Sequence, residues 1–118
     1  MRAVLDALRS VPGVTAWRNN TGAVTVPAEG GTKRRFVRFG EPGMSDIIGW
    51  KTWRPQRDGV GHILVLPLLA IFLALEVKRP GASATPTQVA FIESVRAAGG
   101  IAAVVTSVDE ALTAVRGA

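Results

Sequence analysis

In the stretch Leu73 to Gly81, LALEVKRPG, an acid and an amine stand two residues apart, Glu76 and Lys78. The apolar run before them reads as a strand, and strand alternation sets both side chains on one face with Val77 on the other. A third ionisable residue, Asp46, follows the glycine-rich turn GEPGMSD and precedes the short apolar run IIGW. Two carboxylates can hold a hard divalent cation, and an amine beside them can orient a water or offset negative charge. Each residue alone also has an ordinary explanation. An acid before a strand is common turn chemistry, and Glu and Lys two apart are commonly an exposed ion pair contributing well under about 1 kcal/mol. The chain has no cysteine and a single histidine, His62. That composition excludes a disulfide framework, a zinc ribbon, a thiol nucleophile and a histidine-based metal cage, so any metal must be held by oxygen.

The elements that must position these residues are legible in outline. At 118 residues and 47% hydrophobic content the chain is expected to form a single domain, residues 1–118, with one core. Val4, Leu5, Leu8 and Val11 recur at helical spacing until Pro12-Gly13, which predicts a helix over residues 2–11. Val14 to Arg18 then reads as a strand, NNTGAV as a turn, VPAEGGTKRR as a loop or hairpin tip, and Phe36 to Phe39 as a further strand. IIGW is a short strand, the polar stretch Lys51 to Gly61 a connection, and Ile71 to Lys78 the strongest strand of the chain.

Beyond Pro80-Gly81 the boundary signals sharpen. Thr85 is placed to be an N-cap, Pro86 occupies the first helical position and Gln88 completes a capping box. Val89, Phe91, Ile92 and Val95 supply a buried face, and Gly99-Gly100 close the helix. Ile101 to Val105 is an apolar strand, and Ser107 with Glu110 predicts a second capping box opening a last helix to about Arg116. Two strands joined by a helical crossover must pair in parallel, so the domain is α/β.

The net charge of +5 and the pI near 11.1 suggest a polyanionic partner, and the distribution says more than the total. Lys33, Arg34, Arg35, Arg38, Lys51, Arg54 and Arg57 crowd the middle of the chain, with Trp50 and Trp53 among them. Such a cluster is either a solvated loop or a phosphate-contacting surface whose aromatics stack on bases. The uncharged run Ile63 to Leu75 is too short for a membrane span of roughly 18 to 20 residues and contains Pro67. No membrane partner is expected. The N-terminal MRAVLDALRS carries Arg2, Asp6 and Arg9 and lacks the apolar core of a secretory signal, so an intracellular, cytoplasmic protein is expected.

Taken together, GEPGMSDIIGW and the later LALEVKRPGASATPTQVAFIESVRAAGGIAAVVTSVDEAL resemble the VRR-NUC family, a branch of the PD-(D/E)XK nuclease superfamily. The likeness spans about Trp17 to Leu112, is strongest from Leu73 onward, and extends to RNNTG, Arg18 to Gly22. It implies a restriction-endonuclease-like mixed central sheet flanked by helices. It also makes Asp46 the acid after the glycine-rich turn, Glu76-Val77-Lys78 the E-X-K element, and Gln88 the glutamine of the following helix.

The chemistry of the residues agrees with that likeness. Phosphodiester hydrolysis needs charge neutralised on the transition state and a water made nucleophilic, and a hard cation, Mg²⁺ or Mn²⁺, does both. Asp46, Glu76 and the Val77 carbonyl are the expected metal ligands, and Lys78 the residue that orients or helps deprotonate the water. Gln88 is either catalytic, structural through its capping box, or both. Arg79 joins Lys33, Arg34, Arg35 and Arg38 as a candidate phosphate contact. The superfamily often carries a further acid on its first helix, where this chain offers only Asp6; the alternatives are that Asn20 occupies that neighbourhood or that the site uses one acid fewer.

The resemblance implies a metal-dependent endonuclease acting on branched DNA, four-way Holliday junctions in particular, as a homodimer. The apolar run Ile63 to Phe72 is a candidate dimer surface, with burial in the monomer the alternative. Other readings are a nuclease nicking flaps or duplex DNA, an inactive nucleic-acid-binding module, or a small basic structural protein. Intact Asp46, Glu76 and Lys78 argue against the last two.

Overall fold

The structure is a computed structural model that describes residues 1–20, 22–27, 34–53 and 68–117, with residues 22–27 and 34–39 described by their backbone. Helix α1 (Arg2–Arg9) leads into strand β1 (Val14–Arg18), the hairpin strands β2 (Gly22–Pro27) and β3 (Arg34–Phe39), and strands β4 (Ile47–Trp53) and β5 (Leu69–Val77). Helix α2 (Pro86–Ala97), strand β6 (Ile101–Val105) and helix α3 (Val108–Arg116) complete the chain. A four-stranded sheet runs β1-β4-β5-β6, and β2 pairs only with β3. The β1/β4 and β4/β5 pairs are antiparallel and the β5/β6 pair is parallel, as the helical crossover requires. This is the mixed sheet flanked by helices that the sequence leads one to expect.

Strand alternation divides the core into two layers. Leu73 and Leu75 of β5, Ile101 and Val105 of β6, Ile47 of β4 and Val14 and Ala16 of β1 meet Val4, Leu5 and Leu8 of α1 and Ala111 and Val115 of α3. On the opposite face Ala74 and Ala102 pack against Ile92 and Val95 of α2. Small residues at 74 and 102 let the helix approach the sheet closely. Glu76 belongs to this second face, two residues beyond Ala74, so the strand delivers it beneath α2. Val89, expected in the buried face of α2, is instead 44% exposed.

Three expectations are corrected. Gly22 to Pro27 is a strand, not a turn and loop: Val24, Thr25 and Val26 favour extended backbone, and pairing across the hairpin, from Gly22 opposite Phe39 to Pro27 opposite Arg34, outweighs the turn signal of the bounding Gly and Pro. Lys51, Thr52 and Trp53 extend β4 rather than opening a connection, held by register with Ile71, Ala70 and Leu69. At α3 the box is half formed. Ser107 Oγ accepts from Glu110 N–H at 3.1 Å, whereas the Glu110 carboxylate turns back to Thr106, accepting from its N–H at 2.6 Å.

The Ile63 to Phe72 run is only partly accessible to description. Ile63 to Pro67, like His62, lies outside the described residues; Leu68, Leu69 and Phe72 are exposed and Leu73 is fully buried. Among the described residues no helix is long and apolar enough to cross a membrane.

Gly49 of β4 lies tight against β1, opposite Ala16. A Cβ there would collide with the Thr15 carbonyl oxygen and stand 2.7 Å from Ala16 Cα, both backbone atoms that no rotamer change can move. Gly49→Ala is therefore expected to destabilise the protein by about 3 kcal/mol. Urea unfolding checks this, and a loss below about 1 kcal/mol would mean the two strands separate more readily than the ladder implies.

Candidate active site

The carboxylate of Glu76 is the centre of the site. It is 2% exposed, at the end of β5, with Val104 of β6 beside it in register. Burial of a charge demands partners. Lys78, just past the end of β5, places Nζ 3.5 Å from Glu76 Oε1, so the two side chains share a face as alternation predicts. From α2, Gln88 Nε2 donates to the same oxygen at 2.8 Å. Among the described residues no donor reaches the buried Glu76 Oε2; the Asp46 carboxylate beside Glu76 is itself an acceptor, so the two acids can bond only by sharing a proton.

Gln88 does two jobs with one amide. Its Oε1 accepts from Thr85 N–H at 2.8 Å and its own N–H donates to Thr85 Oγ1 at 3.2 Å, the complete capping box at the start of α2. The remaining donor, Nε2, is what reaches Glu76. The helix start and the site are thus fastened by the same side chain.

Asp46 arrives from the other direction, on the turn before β4. Its Oδ2 accepts from Val77 N–H at 3.0 Å, which brings its carboxylate to the end of β5 beside Glu76. An extended residue projects its N–H and C=O toward the same strand edge, so the Val77 carbonyl faces the Asp46 side as well. The turn itself is seated against α2. Gly43 has φ +79°, and a Cβ there would lie 2.5 Å from the Thr87 carbonyl oxygen.

Crowding these groups changes the ionisation of Glu76. Burial, first, and then the neighbouring Asp46 carboxylate, with which Glu76 can share a proton, push the Glu76 pKa from an ordinary 4.5 up to about 7, with Lys78 opposing. Between those values folded Glu76 keeps a proton that the unfolded chain has lost, so stability falls as pH rises. The metal-free protein should therefore unfold at lower urea at about pH 8 than at about pH 5, and this part of the decline should vanish in Glu76→Gln. An identical pH profile for both proteins would mean that Glu76 ionises as it does in water.

The other residues singled out in the sequence fall elsewhere. Asp6 is exposed on α1, and among the described residues no third acid, cysteine or histidine joins Asp46 and Glu76. Asn20 is exposed. The neighbouring Asn19, which the sequence reading passed over, is the one in contact, with its N–H donating to the Asp46 carbonyl oxygen at 2.7 Å and its Nδ2 to the Ser45 carbonyl oxygen at 3.2 Å. Its position one residue past β1, facing the residue before β4, is a signal that only strand pairing reveals.

Arg79 is exposed beside the site and lines a cavity with Met1, Lys78 and Ser107. Arg34, Arg35 and Arg38 lie on β3, opposite Pro27, Val26 and Ala23, while Lys33, Arg54 and Arg57 are outside the described residues. Lys51 is turned the other way, its Nζ donating to the Val115 carbonyl at the end of α3, where a cation complements the helix dipole. Trp50 is 39% exposed and meets Trp17, 40% exposed, edge to face at 5.7 Å.

The VRR-NUC domain model matches residues 5–109, which contain every one of the site residues above. No curated protein and no solved structure matches the chain. A match over nearly the whole length, on a fold whose mixed sheet brings an acid, an E-X-K element and a helix glutamine to one place, establishes that the chain belongs to the VRR-NUC family of nuclease-type domains.

Proposed function

We propose that the protein is a divalent-metal-dependent endonuclease that hydrolyses DNA phosphodiester bonds, with four-way junctions as preferred substrate and a homodimer as the acting form. The observation that carries the catalytic reading is the buried Glu76 carboxylate, held by Lys78 and Gln88 on one oxygen and, among the described residues, reached by no donor on the other while a second carboxylate, Asp46, stands beside it. A buried, orphaned carboxylate oxygen beside a second carboxylate is a poor structural device, because both desolvation and like-charge repulsion oppose it. It suits a cation. The available donors are all oxygen, from Asp46, Glu76 and the Val77 carbonyl, which favours Mg²⁺ or Mn²⁺ over softer metals.

When bound, such a cation neutralises charge on the transferring phosphate and makes a water more acidic. The chain's own residues supply the rest. Gln88 fixes the rotamer of Glu76, the Val77 N–H fixes that of Asp46, and Lys78 offers an ammonium group where a phosphate oxygen or attacking water can be oriented. Arg79, together with Lys33, Arg34, Arg35 and Arg38 in the sequence, supplies the candidate contacts to DNA phosphates. Branched DNA is favoured over a particular sequence because no described helix is left to read bases; α1, α2 and α3 all pack on the sheet. Two symmetric cuts across a junction call for a two-fold dimer.

The test is incubation of the protein with four-way, flapped and linear duplex DNA of matched sequence, in Mg²⁺, in Mn²⁺ and in a chelator, with light scattering on the same samples. Paired cuts in the junction, metal dependence and a dimeric mass are the expected results. Cleavage of flaps or linear duplex at equal rates by a monomer would replace the junction reading with that of a general nicking nuclease. Cleavage undiminished by chelator would remove the metal.

A further inference from the structure

We infer that Asn19 is a positioning residue for the site: it clamps the backbone on both sides of Asp46 and thereby aims the Asp46 carboxylate. The inference rests on the reading of Asp46 as a metal ligand given above.

The argument begins with what fixes a side chain's direction. The Cα–Cβ bond of a residue is set by its φ and ψ, and these are fixed once the peptide planes before and after it are held. For Asp46 those planes carry the carbonyl oxygens of Ser45 and Asp46 itself. Asn19 bonds both: Nδ2 donates to the Ser45 oxygen at 3.2 Å and the backbone N–H donates to the Asp46 oxygen at 2.7 Å. One residue therefore grips the two planes flanking one Cα.

The rest of the turn needs that grip. The β1/β4 ladder ends with Arg18 opposite Ile47, so Asp46 lies one step beyond regular pairing. The preceding segment contains Gly43 in the left-handed region, whose lack of Cβ is required by contact with Thr87. Ser45, although 1% exposed, has an Oγ with no hydrogen-bond partner, so its side chain does not anchor the turn. On the far side, Asp46 Oδ2 must meet the Val77 N–H at 3.0 Å, a contact that a small rotation about the Asp46 backbone would break. The backbone N–H bond survives any substitution at 19 except proline, whereas the Nδ2 bond exists only with a donor of this reach. The side chain is therefore what makes the clamp two-sided. Outer residues of this kind typically change metal affinity by about 10- to 100-fold.

The experiment measures Mn²⁺ affinity of the full chain by titration calorimetry and by electron paramagnetic resonance of free Mn²⁺, without DNA. Asn19→Leu, which keeps the size and removes the donor, is compared with Asn20→Ala, Asp46→Ala and the unmutated protein, with thermal unfolding recorded for each. Asn19→Leu should bind Mn²⁺ about 10-fold more weakly, and cleavage should recover as Mn²⁺ is raised, because the ligand remains and only its aim is lost. Asn20→Ala should match the unmutated protein, and Asp46→Ala should lose binding at any attainable Mn²⁺ concentration.

If Asp46→Ala loses Mn²⁺ while Asn19→Leu binds it with unchanged affinity, the inference about Asn19 is overturned and the metal reading stands. If Asp46→Ala binds Mn²⁺ normally, the metal reading itself falls. Should Asn19→Leu fail to fold, Asn19→Ala takes its place. If that too is unfolded, Asn19 serves the fold rather than the carboxylate, and the inference is likewise overturned.

Discussion

Glu76→Gln is expected to abolish Mg²⁺-supported cleavage while leaving the fold intact. The substitution retains an oxygen to accept from Gln88 Nε2, and its new amide can donate toward Asp46, so the partners present now are kept. What disappears is the charge a hard cation needs. Several kcal/mol of transition-state stabilisation go with it, which corresponds to about 10³-fold or more in rate. The metal-free variant should be the more stable protein above about pH 7, since the burial of charge and, second, the Asp46 repulsion that raise the Glu76 pKa are both relieved. Single-turnover cleavage and calorimetric metal titration measure both halves. Cleavage near the unmutated rate would reduce Glu76 and Lys78 to a buried ion pair and end the nuclease reading of this site.

Lys78→Met should fail differently. It keeps both carboxylates, so at alkaline pH metal and DNA should still bind. The single-turnover rate should nevertheless fall by about 10²- to 10⁴-fold, the usual worth of a positioned proton-transfer or orienting group. Near neutrality a second defect should appear. Lys78 lowers the Glu76 pKa, so without it the carboxylate holds its proton to higher pH and the cation must displace it. The metal affinity of Lys78→Met should consequently climb more steeply from about pH 7 to about pH 8.5 than that of the unmutated protein. Parallel pH profiles would show that the amine acts only on the water or the phosphate.

The parts of this site that were legible in the sequence are those whose signals are local. Thr85, Pro86 and Gln88 announce a helix start within four residues, and the structure forms that box in full. Glu76 and Lys78 share a face because a period of two places them there. Strand β1 and the parallel pair β5/β6 likewise follow from short apolar runs with sharp ends. The parts that were not legible depend on partners distant in the chain. Gly22 to Pro27 carries strand formers at Val24, Thr25 and Val26 but is bounded by Gly and Pro, and the pairing with residues 34–39 that makes it a strand lies across the hairpin. Asn19 rather than Asn20 meets the Asp46 turn, a choice made by the register that sets Arg18 opposite Ile47, and one residue of slip would reverse it. Glu110 reaches Thr106 instead of Ser107, and Thr106 offers it two donors, its N–H and its hydroxyl, both to Glu110 Oε2.

Gln88 is bound by requirements from two separate sources. A capping box is served by glutamate as readily as by glutamine. The contact with Glu76 accepts only the amide, because a carboxylate at position 88 has no proton to give and would set a third negative charge into a pocket already crowded with two. The substitution that helix formation would treat as synonymous is therefore forbidden by the chemistry next door. Conversely, a shorter donor such as serine would be compatible with the electrostatics but would leave the Thr85 N–H without its acceptor. The range of side chains allowed at this position is the intersection of the two sets, narrower than either imposes alone, and it ties the geometry of the carboxylate to the integrity of the first turn of α2.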